Sequence, residues 1–191
     1  MATKGMKPTA AARGQRAALK TVQGSASGKV KVAVTDIDGI LRGKYLHQDK
    51  FESAVEGGFG FCDVVFGWDM TDSVYDNTQV TGWQHGFPDA MVSLDLSTGR
   101  NVPWDDNVPF FLGDFVTREG QPYPVCPRQT LKRVIARAEK LGFSPMCGLE
   151  FEWFNFAETP QSWAAKKGVV PETITPGMFV YSLLRMGDQR G

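Results

Sequence analysis

The chain of 191 residues is long enough to bury a sizeable core and suits one domain or two small ones. Its 21 Lys and Arg residues balance 21 Asp and Glu residues, so no basic excess exists to neutralise phosphates, which argues against nucleic acid as the main partner. The three cysteines are far apart and odd in number, which favours a reducing cytoplasm over a disulfide framework. No apolar run reaches membrane-spanning length, so we expect no membrane association.

Residues 1–28 differ in composition from the rest of the chain. They are rich in Ala, Gly, Lys, Arg and Thr and contain no acidic residue. We predict a disordered basic tail, because a segment with few large apolar side chains cannot offset its ordering entropy by burial. The same composition also resembles an organelle transit peptide, which leaves a targeting segment as the alternative.

Residues 29–119 have the pattern of a small sheet crossed by one helix. Alternating valines over 30–34 predict a strand with one buried face, and the turn at 36–39 predicts a hairpin with a returning strand over 40–46. A short helix around Phe51 should end at the two glycines 57–58. Further strands are predicted at 61–66, 91–96 (followed by a Ser-Thr-Gly turn) and 110–116. Because strands dominate and helices do not alternate regularly with them, we predict an α+β fold.

The pattern of residues 120–191 indicates the beginning of a second domain. Apolar residues at helical spacing from Leu131 to Leu141 predict a helix that ends at Gly142. The segment 148–156 is bulky, apolar and aromatic, which is typical of a buried strand. Beyond residue 159 the sequence is polar and irregular, so we predict a loop over 160–180 and a domain that breaks off early.

Two carboxylates, Glu150 and Glu152, lie two positions apart in the predicted strand and would project from the same face. Like charges in an apolar setting repel and are poorly solvated, so a divalent cation between them would stabilise the pair. The alternative is a half-exposed strand whose polar face carries two glutamates.

Two other acidic segments have both a chemical and a structural interpretation. The sequence Asp36-Ile37-Asp38-Gly39 resembles the opening motif of haloacid-dehalogenase-type phosphatases, although an Asp-Gly hairpin turn explains the same residues. The loop over 66–76 carries several acids, including Asp69, and places Trp68 beside a glycine, so it could either clamp a ligand or simply be solvated. The two histidines lie in loops or at element ends and have no partner at catalytic spacing.

Taken in order, these segments resemble the glutamine synthetase superfamily. The sequence motifs are Asp-Ile-Asp-Gly-Ile-Leu-Arg-Gly-Lys at 36–44, the Trp-Asp pair at 68–69, Cys-Pro-Arg at 126–128, and Gly-Leu-Glu-Phe-Glu-Trp-Phe at 148–154. The last is similar to the Gly-x-Glu-x-Glu-Phe signature of the family. The resemblance implies a β-grasp-like amino-terminal domain over 29–119 and a partial catalytic domain over 120–191.

The resemblance also implies a reaction and its groups. In this family ATP phosphorylates the side-chain carboxylate of glutamate, and ammonia or another amine then displaces phosphate, with Mg²⁺ or Mn²⁺ present. Glu150 and Glu152 match metal-binding carboxylates, Asp69 matches an acid of the ammonium site that acts in a neighbouring protomer, and Tyr181 matches a tyrosine of the amine pocket. The usual Asp-Gly-Ser-Ser loop is replaced by Asp-Met-Thr-Asp at 69–72, which leaves a polyamine or arylamine as an alternative substrate to ammonia.

The quaternary structure and activity of the chain follow from the same resemblance. It implies a homo-oligomeric ring for the full-length form. It also places further metal, phosphate and glutamate ligands of the family beyond Gly191, so we expect the chain alone to have little or no ligase activity. A non-catalytic homologue that serves in assembly is the alternative of a different class.

Overall fold

The computed structural model describes residues 10–174, 177 and 182–188. The chain divides into two compact units, Met1–Pro145 and Met146–Gly191. Among the described residues, no helix is both long and apolar enough to cross a membrane. The sequence predicted a domain boundary between residues 119 and 120, which differs from the boundary between these two compact units. The predicted domain boundary stays a prediction.

The first unit is built on a sheet of five strands in the order β2-β1-β5-β4-β3. The strands are β1 (Lys29–Thr35), β2 (Leu41–His47), β3 (Phe59–Cys62), β4 (Asp89–Val102) and β5 (Val108–Val116). The central strands β1 and β5 are parallel, and the other neighbours are antiparallel. Mixed pairing with few helices confirms the predicted α+β class.

Among the described residues, three α-helices lie in the first unit and two short α-helices in the second. The helices are α1 (Ala10–Gln23), α2 (Gln48–Gly57), α3 (Pro127–Lys140), α4 (Pro160–Ala165) and α5 (Leu183–Asp188). The predicted helix around Phe51 is confirmed as α2, which ends before Gly58 at a φ of 70°. A Cβ atom on Gly58 would lie 2.5 Å from the carbonyl oxygen of Val92, so this close approach of helix end and sheet requires glycine.

Helix α1 lies within the segment that was predicted to be a disordered tail. Residues 10–23 are helical, and the side chains of Ala18 and Val22 are 7% and 0% exposed in the hydrophobic core. Alanine, leucine, lysine and arginine all favour the helix, and Ala18 and Val22, together with the half-buried Leu19, pack it against the core. The prediction is therefore wrong for these residues, because helix propensity and a few contacts with the core order the segment without large apolar side chains.

One hydrophobic core joins α1 and α2 to the sheet. Its largest fully buried side chains are Phe51, Phe111 and Phe115, and the rings of Phe51 and Phe111 are 4.9 Å apart. The alternating valines Val30, Val32 and Val34 all lie in the same core, as their spacing predicted. The predicted hairpin is confirmed as well.

Two predicted strand limits are wrong. The apolar run 61–66 forms the end of β3 and then a 3₁₀ helix over Asp63–Phe66. The predicted turn after residue 96 is instead an irregularity within β4, where the pairing with β5 shifts register between Asp95 and Arg100. A β-bulge absorbs extra residues without ending the strand, and composition alone does not distinguish it from a turn.

The second unit does not form the predicted buried strand. Residues 148–155 have no regular secondary structure, and Leu149, Phe151 and Trp153 are 84%, 76% and 72% exposed. A strand needs a neighbour for its backbone hydrogen bonds, and among the described residues the segment gains only an isolated bridge between Phe156 and Thr173. The strand prediction is therefore wrong for the described chain.

Candidate active-site residues

The Trp-Asp motif lies in a closed loop, Gly67 to Tyr75, that follows the 3₁₀ helix of the first unit. An antiparallel bridge joins Trp68 to Val74, and the amide of Tyr75 donates to the carbonyl oxygen of Gly67 at 2.8 Å. Asp69 is the first residue inside this bridge. Its backbone amide donates to the carbonyl oxygen of Ser73 at 3.0 Å, which fixes the start of the turn.

The Asp69 carboxylate organises this turn with one of its two oxygens. Its Oδ1 accepts from the hydroxyl of Thr71 at 2.7 Å and from the amides of Thr71 and Ser73 at 2.8 and 3.0 Å. These hydrogen bonds, that of the Thr71 hydroxyl first, lower the pKa of Asp69 below its ordinary value. Within residues 10–174, nothing hydrogen-bonds to Oδ2. The side chain is half-buried, so it presents an ionised carboxylate with one unused oxygen.

The neighbouring Asp36 has a structural role. Its side chain is 0% exposed, its Oδ1 accepts from the amides of Asp38 and Ile40, and its Oδ2 accepts from Arg42 Nε at 2.8 Å. A nucleophile must reach the substrate, whereas both oxygens of this carboxylate are used within the hairpin. The hairpin-turn interpretation is thus favoured over the phosphatase interpretation.

Glu150 and Glu152 lie in the second unit, in the irregular segment described above, and both are exposed. Because this segment is not a strand, the two glutamates do not share one strand face as predicted. Their carboxylates suit Mg²⁺ or Mn²⁺ in donor type. No group of three or more potential metal ligands occurs among the described residues, so these two glutamates would supply part of a coordination sphere. Their metal-binding role stays a prediction. Tyr181 lies outside the described residues.

Sequence reasoning missed a cluster of four charged residues in the first unit. Arg128 Nη1 lies 2.7 Å from both carboxylate oxygens of Asp114, and its Nη2 lies 2.8 Å from Oδ2 of Asp95. Lys132 Nζ is 2.5 Å from Asp114 and 2.9 Å from Asp95. The spacing of Arg128 and Lys132 on one helix face was the available signal.

This charge cluster fixes the start of α3 against β4 and β5. Burial acts to raise the pKa of Asp95, but hydrogen bonds from Ser97, Lys132 and Arg128 outweigh it, so the pKa lies well below the ordinary value. A cavity of about 510 Å³ lies beside the cluster, between α1, β4, β5 and α3. Because the four charges pair with one another, we assign the cluster to structure.

The chain has sequence relatives among glutamine synthetases and related ligases. It is 50% identical over 167 residues to the type-1 glutamine synthetase 2 of Dictyostelium discoideum, a match that covers 87% of this chain and 32% of the relative. It is 31% identical over 156 residues to a glutamate–isopropylamine ligase of a Pseudomonas species, covering 81% of this chain and 34% of the relative. No protein-family model matches the chain.

A solved structure agrees with these relatives. The glutamine synthetase of Plasmodium falciparum aligns with a TM-score of 0.50 at 17% identity, over 67% of this chain and 23% of that chain, which bears on the fold alone. The fold and the sequence relatives define an α+β chain of the glutamine synthetase type. The chain belongs to the glutamine synthetase superfamily, and it spans about a third of the length of these two curated relatives.

Proposed function

We propose that this chain is the opening part of an ATP-dependent ligase that forms an amide on the side-chain carboxylate of glutamate. The observation that carries the proposal is its 50% identity to a glutamine synthetase over most of its length. A carboxylate is a poor electrophile, so ATP first transfers its γ-phosphoryl group to the glutamate side chain. Ammonia then attacks the carbonyl carbon, the bond to the phosphoryl-bearing oxygen breaks, and phosphate leaves together with a proton from the amine.

Asp69 would receive the amine as its ammonium cation. Its lowered pKa keeps the carboxylate ionised at neutral pH, and its Oδ2 is the oxygen that the loop leaves for a cation. An alkylammonium group has a pKa of about 10, far above that of this carboxylate, so Asp69 is suited to attract and orient the cation more than to take its proton. We propose that it does so in the active site of a neighbouring protomer of a ring-shaped homo-oligomer.

Glu150 and Glu152 would contribute oxygen ligands to the divalent ions, whose chemistry is to neutralise the phosphoryl oxygens during transfer. Two carboxylates leave most of the coordination of such an ion to other groups. We therefore propose that the 191-residue chain by itself has little or no ligase activity. Tyr181 stays a proposed member of the amine pocket.

The test compares the 191-residue chain with the longest product of its gene, using ATP, glutamate and ammonium, and measures phosphate and glutamine. In the longer product, we expect Glu150→Gln and Glu152→Gln each to lower turnover at least about 100-fold and to raise the Mg²⁺ concentration needed for half-saturation. Glu139→Gln, an exposed substitution on α3, is the matched control and should change neither. Turnover by the chain alone at the rate of the longer product would contradict the proposal.

A second candidate keeps the reaction and changes the amine. Met70, which follows Asp69, is 70% exposed and apolar, where the family motif has glycine. An apolar side chain beside the cation site would favour an alkylamine such as the one in the name of the Pseudomonas relative. Comparing ammonium, isopropylamine, putrescine and aniline as second substrates of the longer product separates these ligases, and the absence of turnover with all of them would favour a non-catalytic assembly homologue.

A further inference from the structure

Arg42 on β2 connects the hairpin turn to the loop that carries Asp69. Its Nε donates to Asp36 Oδ2 at 2.8 Å and its Nη1 donates to Asp72 Oδ1 at 2.5 Å. Its guanidinium carbon lies 4.8 Å from the centre of the Trp68 ring, within the range of a cation–π interaction. The Arg42 side chain is 19% exposed and that of Asp36 is fully buried, so this pair is shielded from water, whereas the Asp72 side chain is 58% exposed.

The two contacts on the loop lie on either side of Asp69. Trp68 precedes it directly, and Asp72 follows three residues later, where the amide of Asp72 donates to the carbonyl oxygen of Asp69 at 3.1 Å. Asp72 has a φ of 65°, a left-handed conformation that costs a non-glycine residue about 1 kcal/mol and needs surrounding contacts to persist. The ion pair with Arg42 is such a contact.

The other end of this connection is rigid. Asp36 is fully buried, and the backbone of the turn donates to its Oδ1 from Asp38 at 3.0 Å and from Ile40 at 2.8 Å. Arg42 therefore joins a fixed point of the sheet to both flanks of Asp69. Lysine cannot reproduce this arrangement, because one ammonium group lacks the planar fork that bonds two carboxylates and stacks on a ring.

We propose that Arg42 is a positioning residue for Asp69. By holding the loop on both sides of Asp69, Arg42 keeps the unused Oδ2 of that carboxylate oriented toward an amine. The consequence for catalysis rests on the function proposed above, whereas the effect on the loop does not. Arg42 Nη2 and Trp68 Nε1 are buried and lack hydrogen-bond partners among the described residues. In Arg42→Lys the orphaned Nη2 is removed and the single ammonium group can still pair with the buried Asp36, so the variant should lose little global stability while it releases the loop.

The 191-residue chain itself provides the first test, by NMR of the Arg42→Lys variant. We expect hydrogen exchange at the amides of Thr71 and Ser73 to accelerate at least about tenfold, because their acceptor is no longer fixed. The pKa of Asp69 should rise from its lowered value toward the ordinary 3.8, since the hydrogen bonds that lower it weaken. The amides of β1 should keep their protection.

Arg100→Lys is the matched control, since the Arg100 guanidinium also lies over a ring, that of Phe110 at 5.6 Å, but on β4. It should leave Thr71, Ser73 and Asp69 unchanged. Asp72→Asn is the second test variant, and it keeps the pair between Arg42 and Asp36. It should give the same faster exchange of the loop amides and the same rise in the pKa of Asp69. If Arg42→Lys and Asp72→Asn both leave the exchange of the loop amides and the pKa of Asp69 unchanged, the proposal is overturned. It is also overturned if the amides of β1 lose as much protection as those of the loop.

The longer gene product separates this proposal from the proposed function. There Arg42→Lys should raise the KM for the amine about tenfold and leave the KM values for glutamate and ATP within about twofold. If the wild-type product has no ligase activity and the loop still responds as expected, the proposed function fails and the positioning role stands. If the enzyme is active and the KM for the amine does not move, the positioning role fails and the function stands.

Discussion

Helix α3 offers a sharp test, because its attachment depends on few groups. None of its side chains is buried, and Leu131 and Val134 are 58% and 60% exposed. An isolated helix of 14 residues is marginal in water, so α3 depends on tertiary contacts, chiefly those of Arg128 and Lys132 beside the hydrogen bond from Gln129 to the carbonyl oxygen of Phe115. The substitution Asp114→Asn removes one of their two carboxylate partners while it keeps the side-chain shape.

The magnitude follows from the hydrogen bonds of Asp114, which is 8% exposed and accepts from both cations. A hydrogen bond to a charged group contributes about 1.5–3 kcal/mol. The contact of Arg128 Nη1 with both carboxylate oxygens should count in full, whereas the contact from Lys132, which is 44% exposed, is discounted for solvent screening. The sum is about 3 kcal/mol, which corresponds to about a 100-fold increase in the open population of α3.

Hydrogen exchange followed by mass spectrometry measures this population directly. In Asp114→Asn, peptides from α3 should exchange about 100-fold faster, with a smaller change in β1. Asp105→Asn is the control, because the Asp105 pair with Lys31 is more exposed, at 22% and 31%, and should change the exchange of α3 little. Exchange in α3 that accelerates less than about threefold would refute the reasoning that these charges attach the helix.

Two further predictions concern stability. Hydrogen bonds from Lys166 first, then from Ser162 and the amide of Glu172, lower the pKa of Glu158 to about 2 from 4.5. The resulting stability should be complete above pH 4.5 and disappear as the pH falls through 2, which a carboxyl NMR titration beside Glu158→Gln will check. Gly43→Ala should destabilise the first unit by about 2–4 kcal/mol in urea unfolding, since its Cβ would lie 2.2 Å from a carbonyl oxygen of β1. Gly14→Ala in α1 has open space and should stabilise by about 0.5–1 kcal/mol, so equal effects of the two glycine substitutions would contradict this account.

Local pattern was sufficient for much of the fold. The alternating valines of β1, the turn at Asp36, the helix around Phe51 and the start of β4 were predicted, because each is specified by residues close together in the chain. The family resemblance was confirmed as well. The metal-binding role of Glu150 and Glu152 and the part of Tyr181 stay predictions.

Other features depended on partners that lie far apart in sequence. Helix α1 needs the core that receives Val22, and Arg42 reaches Asp72 across 30 positions. Helix α3 depends on carboxylates in two different strands. The sequence by itself determined where the chain can form a strand, a turn or a helix, and that Asp69 lies in an acidic loop. Only the tertiary structure decided which charges meet and which apolar segments are covered, because burial and ion pairing depend on distances between elements that no local pattern contains.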